Sequence, residues 1–171
     1  MGDRRYSEKS SQYYRKVGLN AIVKNILEKN QSKYVKILLQ RYKPDILVIT
    51  GHDGMIKKET DFRNVLNYRN SKYFIETVKE ARNYRNYGKD LVIFAGACQS
   101  YYEALISEGA NFASSPARIL IDFIDPLIVA EKVAITDSSK YVTMQDIKDE
   151  LRDGEKGIGG VGAKGKKKPD N

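Results

Sequence analysis

Two short runs without a polar side chain, Ile46-Leu-Val-Ile49 and Leu91-Val-Ile-Phe-Ala95, constrain this chain most. Each follows an aspartate, Asp45 or Asp90, and opens into a loop containing Gly51 or Gly96. Uniform apolarity over four or five residues suits a strand covered on both faces, as in a parallel sheet. Between the two runs, Phe74, Ile75, Val78 and Ala81 recur at helical spacing from Ser71, and this helix closes near Gly88. Strand, helix, strand in that order is a crossover unit, so the expected fold is α/β: a three-layer αβα sandwich with a mainly parallel sheet.

The remaining segments extend the alternation. Tyr6 to Lys16 reads as a helix ended by Gly18, and Leu19 to Leu27 as a strand. Ser32 opens a helix through Val35, Leu38, Leu39 and Tyr42 that Pro44 stops. A helix from Ser100 to Ser107 and a strand from Gly109 to Ala113 follow, the latter ending at Ser114-Ser-Pro116. Asp125-Pro126 reads as an N-cap and first-turn pair for a helix through Val133, and Met144 to Arg152 as a last helix. The 171 residues suit one domain, expected over residues 1–153. Residues 154–171 hold six glycines and little apolar surface, so they are expected to form a flexible Gly/Lys-rich tail.

The net charge of +8 is unevenly spread: residues 1–43 carry +8, residues 44–153 carry −3 and the tail carries +3. The charge is therefore terminal, the central segment is acidic, and no zinc-finger spacing or RNP-like aromatic motif occurs. Nucleic acid is not the expected partner; solvated basic faces account for the charge. The apolar runs fall far short of the ~20 residues of a membrane helix, and the charged N-terminus lacks the apolar stretch of a secretory signal. A cytoplasmic setting without membrane association is expected, and a single cysteine permits no internal disulfide.

The only histidine and the only cysteine both follow apolar runs. In open parallel sheets, ligands bind where the loops at the carboxyl ends of the strands converge. His52 lies just past Thr50, and Cys98 just past Ala95, one crossover later, so adjacent strands would carry both to one rim. Each has an ordinary alternative, Cys98 as a packing residue and His52 as a polar turn residue. The joint placement favours chemistry. A thiol becomes a good nucleophile when an imidazole takes its proton or stabilises the thiolate, and these two residues supply that pair. Gly51, Gly54 and Gly96 let the main chain approach a substrate closely, and the N–H groups of Asp53, Gly54 and Cys98 are candidate oxyanion donors.

A histidine at one strand end and Ala-Cys at another roughly 50 residues later resembles the caspase-like cysteine peptidases. Four longer stretches sharpen the likeness: Tyr42-Lys-Pro-Asp-Ile-Leu-Val-Ile-Thr-Gly-His-Asp53, Asn67-Tyr-Arg-Asn-Ser-Lys-Tyr-Phe74, Leu91-Val-Ile-Phe-Ala-Gly-Ala-Cys-Gln-Ser100 and Glu108-Gly-Ala-Asn-Phe-Ala-Ser-Ser-Pro116. Together they resemble the YabG family of sporulation-specific proteases of spore-forming Firmicutes, over about Gly2 to Gly160. The resemblance implies a caspase-like cysteine endopeptidase of the mother cell that processes spore coat and related proteins, cutting after Arg. It implies His52 and Cys98 as the catalytic dyad and no metal or organic cofactor. Asp53 stands where a Gly often follows the histidine in caspase-like enzymes. Family members also carry a longer N-terminus with a first core strand ending in Gly-Asp, for which Gly2-Asp3 stands here, so that strand is expected to be missing.

Under this reading His52 activates Cys98, an acyl-enzyme forms, and water hydrolyses the thioester. An Arg-preferring pocket needs a carboxylate. Asp3, Asp53, Asp122 and Asp125 are candidates, with Asp3 and Asp125 favoured and a helix cap as the alternative role of Asp125. Partners are coat-protein substrates and the chain itself through autoprocessing. A different class of function is an inactive or truncated homologue that binds spore-coat components. A flavodoxin-like nucleotide domain is disfavoured because no phosphate-binding glycine loop follows a strand.

Overall fold

The two all-apolar runs form neighbouring parallel strands. The structure is a computed structural model that describes residues 2–57 and 61–169. Its strands are β1 (Ile46–Ile49), β2 (Val92–Ala95), β3 (Phe112–Ser114), β4 (Tyr141–Val142), β5 (Ile158–Gly160) and β6 (Ala163–Lys164). Its α-helices are α1 (Arg4–Lys16), α2 (Glu28–Tyr42), α3 (Ser71–Arg82), α4 (Tyr87–Asp90), α5 (Tyr102–Glu108), α6 (Ile124–Ile135) and α7 (Met144–Ile147). The main sheet has the order β1-β2-β3-β5, and β4 pairs with β6 in a separate ribbon. β1, β2 and β3 are parallel and β5 runs antiparallel to β3, which makes the fold mixed α/β.

β2 explains why its sequence is uniformly apolar. Ile93 and Ala95 face Val35 and Leu39 of α2, Phe74 and Val78 of α3, and Leu105 of α5. Val92 and Phe94 face Val129 and Val133 of α6 together with Ile147 and Ile158. A strand with helices on both faces has no solvated side on which to place a polar residue. Burying each such large side chain contributes roughly 1.5–3 kcal/mol.

Local chemistry sets the helix ends. Asp3 caps α1 by accepting from the N–H groups of Arg5 and Tyr6, and Gly18 follows its end at φ +80°. α2 stops where Lys43 turns left-handed ahead of Pro44.

Several sequence expectations need correction. Residues Leu19 to Leu27 form no strand; they cross as an irregular connection, with Leu19 and Val23 packed against Tyr14, Leu127 and Ala130. Their apolar residues serve packing, and Gln31 ties the segment down by donating to the carbonyls of Ile26 and Thr50. α2 begins at Glu28 rather than Ser32. α6 begins at Ile124, so Asp125 lies in its first turn instead of capping it, and the Ile124 N–H is met by Asp122 Oδ1. The last helix is one α-turn continued by a 3₁₀ turn at Lys148–Glu150.

Over its described length the tail beyond residue 153 includes two strands, β5 and β6. Ile158 is fully buried, and β5 extends the sheet through the pairs Ser114↔Ile158, Ala113↔Gly159 and Phe112↔Gly160. Glycine serves close approach here: a Cβ on Gly160 would lie 2.2 Å from the Asn111 carbonyl oxygen. The domain therefore extends past 153 to include β5 and β6.

Candidate active site

β1 and β2 are in register, with Ile49 opposite Ala95, and His52 and Cys98 each lie three residues beyond that pair. Equal offsets on adjacent parallel strands bring the two loops out at the same rim of the sheet. The imidazole is accessible, with 59% of its side-chain surface exposed, and Cys98 is half-buried. No hydrogen bond joins them. His52 Nε2 lies 2.8 Å from Asp3 Oδ2, while Cys98 Sγ accepts from the Ile121 N–H at 3.4 Å and lies 3.8 Å from the Ile121 carbonyl.

The sheet and the Gly96 turn together present Cys98. Gly96 has φ +110°, and a Cβ there would press on Leu105 and on the Cβ atoms of Ser114 and Ser100. The thiol loop is held further by Gln99, whose N–H donates to the Ile119 carbonyl and whose Oε1 accepts from Met55 N–H. On the histidine side, Glu28 Oε1 accepts from the His52 N–H. The Tyr6 ring meets the imidazole edge-on at 6.0 Å, and Phe123 packs on Tyr6 at 5.4 Å.

Among the candidate oxyanion donors, the Gly54 N–H is committed to Asp53 Oδ1 at 2.9 Å, which removes it from that role. Among the described residues, the N–H groups of Asp53 and Cys98 have no hydrogen-bond partner.

The candidate pocket carboxylates are used differently. Asp3 is fully engaged: Oδ1 caps α1 and Oδ2 meets His52, and that last bond holds its carboxyl below the usual carboxylate range. Asp53 accepts four hydrogen bonds and has no acceptor left for a guanidinium. Asp122 caps α6. Asp125 is 2% exposed; its Oδ1 accepts from the Arg152 N–H at 3.4 Å and its Oδ2 has no partner. Burial pushes its pKa up.

No pattern in the sequence signals that Asp3 pairs with His52 or that Ile121 meets the sulfur, because both contacts join segments far apart in the chain. Asn70 and Ser71 were recoverable: polar residues at the start of α3, opposite the histidine loop, are the usual sources of side-chain hydrogen bonds. Among the described residues, no cluster of three or more His, Cys, Asp or Glu side chains could hold a metal ion. No described helix is long and apolar enough to cross a membrane.

The family model described as YabG peptidase U57 matches residues 1–170. The Sporulation-specific protease YabG of Bacillus subtilis (strain 168) is 41% identical over 164 residues, which cover 96% of this chain and 57% of that protein. The chain thus spans little more than half the length of this curated relative. No solved structure matches.

Proposed function

The chain belongs to the YabG peptidase U57 family, and from that premise we propose that it is a cysteine endopeptidase of sporulation with Cys98 as nucleophile and His52 as its acid–base partner. The observation that carries this reading is the equal offset of the two residues beyond the paired ends of β1 and β2. The covered faces of the sheet support a caspase-like sandwich as the finer description of the fold.

Asp3 at Nε2 favours the tautomer that carries its proton there, leaving Nδ1 to exchange a proton with the thiol. The Cys98 proton passes to His52 as Sγ bonds to the substrate carbonyl carbon, whose oxygen becomes an oxyanion. The free N–H groups of Asp53 and Cys98 are suited to receive it. His52 returns the proton to the leaving amine as the C–N bond breaks, giving a thioester. Water, deprotonated by His52, then releases the carboxylic acid and regenerates the thiol. The mechanism requires imidazole and thiol to come together around the substrate, as catalytic hydrogen bonds often do.

The substrates we propose are spore coat proteins in the mother-cell cytoplasm, cut after Arg, with cleavage of the chain itself as a side reaction. Asp125, with one unpartnered carboxylate oxygen, is the best-suited group to meet the guanidinium. The test is mass spectrometry of arginine-containing coat-protein substrate and of the chain itself after incubation, for the parent, Cys98→Ala and His52→Ala. Cleavage after Arg by the parent and none by either variant is expected. Cleavage that survives Cys98→Ala would discard the thiol mechanism.

A further inference from the structure

Asp53 is the most heavily bonded carboxylate of the described chain, and the proposed mechanism uses only its main-chain N–H. Its Oδ1 accepts from the N–H groups of Gly54 at 2.9 Å and Asn70 at 2.8 Å. Its Oδ2 accepts from Ser71 Oγ at 2.5 Å and Ser100 Oγ at 2.8 Å. Both serines are fully buried, and each hydroxyl oxygen accepts in turn: Ser100 from the Ala97 N–H and Ser71 from the Tyr101 N–H, both at 2.9 Å. Asn70 closes the other side by donating its side-chain amide to the His52 carbonyl at 2.8 Å.

A continuous chain of bonds therefore runs from His52 through Asn70, Asp53 and Ser100 to the N–H of Ala97, the residue before Cys98. Only a carboxylate has lone pairs enough on two oxygens to accept from all four donors; an amide offers one accepting oxygen. Burial is the leading influence on Asp53 and raises its pKa, so its charge costs stability at neutral pH rather than adding to it. A costly charge retained between two functional loops fits a positioning role better than a stabilising one.

We propose that Asp53 is the positioning residue that fixes the imidazole loop and the thiol loop against each other, so that Cys98 can pass its proton to His52 and react as a nucleophile. This rests on the dyad reading above. The substrate is not involved, so the claim can be tested on the thiol alone.

The experiment is the pH profile of Cys98 alkylation by iodoacetamide in the full chain, compared among the parent, His52→Ala, Asp53→Asn and Ser100→Ala, with thermal melts confirming that each is folded. A parent with a plateau of reactivity near neutral pH that His52→Ala loses establishes the pair. Asp53→Asn and Ser100→Ala are then expected to lower the rate about ten-fold near pH 6.5 and to leave it within about two-fold near pH 9.5, where any thiol is ionised. Ser100→Ala removes a single hydroxyl from the link and keeps the test open if Asp53→Asn does not fold. Profiles that overlay the parent overturn the positioning role, as does faster alkylation at every pH, the mark of general loosening. A parent profile identical to that of His52→Ala sinks the dyad itself, a distinct result.

Discussion

At the scale of single residues, His52 and Cys98 stand three residues beyond the paired ends of β1 and β2. One histidine and one cysteine, each just past an apolar run, were legible because strand ends in a parallel sheet are where loops converge. The partners of those residues were not, because a hydrogen bond between Asp3 and His52 or between Ile121 and Cys98 leaves no periodicity in the chain. Asp125 shows how far residue type alone reaches: its position before Pro126 reads as a cap, yet the carboxylate is buried and half-unpartnered. Its raised pKa has a definite consequence. The folded chain holds a proton that the unfolded chain releases, so stability is greatest below the ordinary carboxylate range. It falls as pH rises from there through the raised value. Asp125→Asn removes this slope. The variant is expected to melt above the parent at pH 7 and level with it at about pH 3, and to cleave with weakened preference for Arg. A melting difference independent of pH, read by calorimetry, would contradict the buried charge.

At the scale of elements, local patterns succeeded where burial was two-sided and failed where glycine had two meanings. β1, β2 and α3 were legible from apolar runs and helical spacing because the core reads those patterns directly. Residues 154–171 read as flexible because glycine is the residue of both entropy and close approach, and at Gly160 only the neighbouring main chain of Asn111 and Phe112 decides between them. The opposite error occurred at Leu19 to Leu27, where apolar residues without a hydrogen-bonding neighbour make packing and no strand. If β5 is part of the sheet, Ile158→Ala empties a fully buried position and is expected to cost about 2–5 kcal/mol in urea unfolding. Gly160→Ala should also destabilise by forcing Cβ against the Asn111 carbonyl. A tail that moved freely would tolerate both without any change in midpoint.

At the scale of the whole molecule, the sheet is unevenly closed. β3 has neighbours on both sides through β2 and β5, whereas among the described residues β1 pairs with β2 alone. Beside the free edge of β1 lies a cavity of 560 Å³, lined in part by Ile46, Val48, Tyr14, Leu19, Val23 and Leu127. Ile46, Leu47 and Val48 are accordingly only half-buried, while all four residues of β2 are buried. The paired runs of the sequence are therefore alike in composition and unlike in surroundings, a difference no pattern within either run could reveal. Alternate main-chain groups of an edge strand find no ladder partner, and such groups open with local rather than global free energy. In hydrogen–deuterium exchange, the amides of β2 and β3 are expected to exchange only on global unfolding, and those of β1 facing the cavity at least about ten-fold faster. Equal protection in β1 and β2 would mean that the edge is covered in solution. Dilution then separates two causes: protection lost on dilution comes from a second copy adding a strand, and protection that persists contradicts the open edge itself.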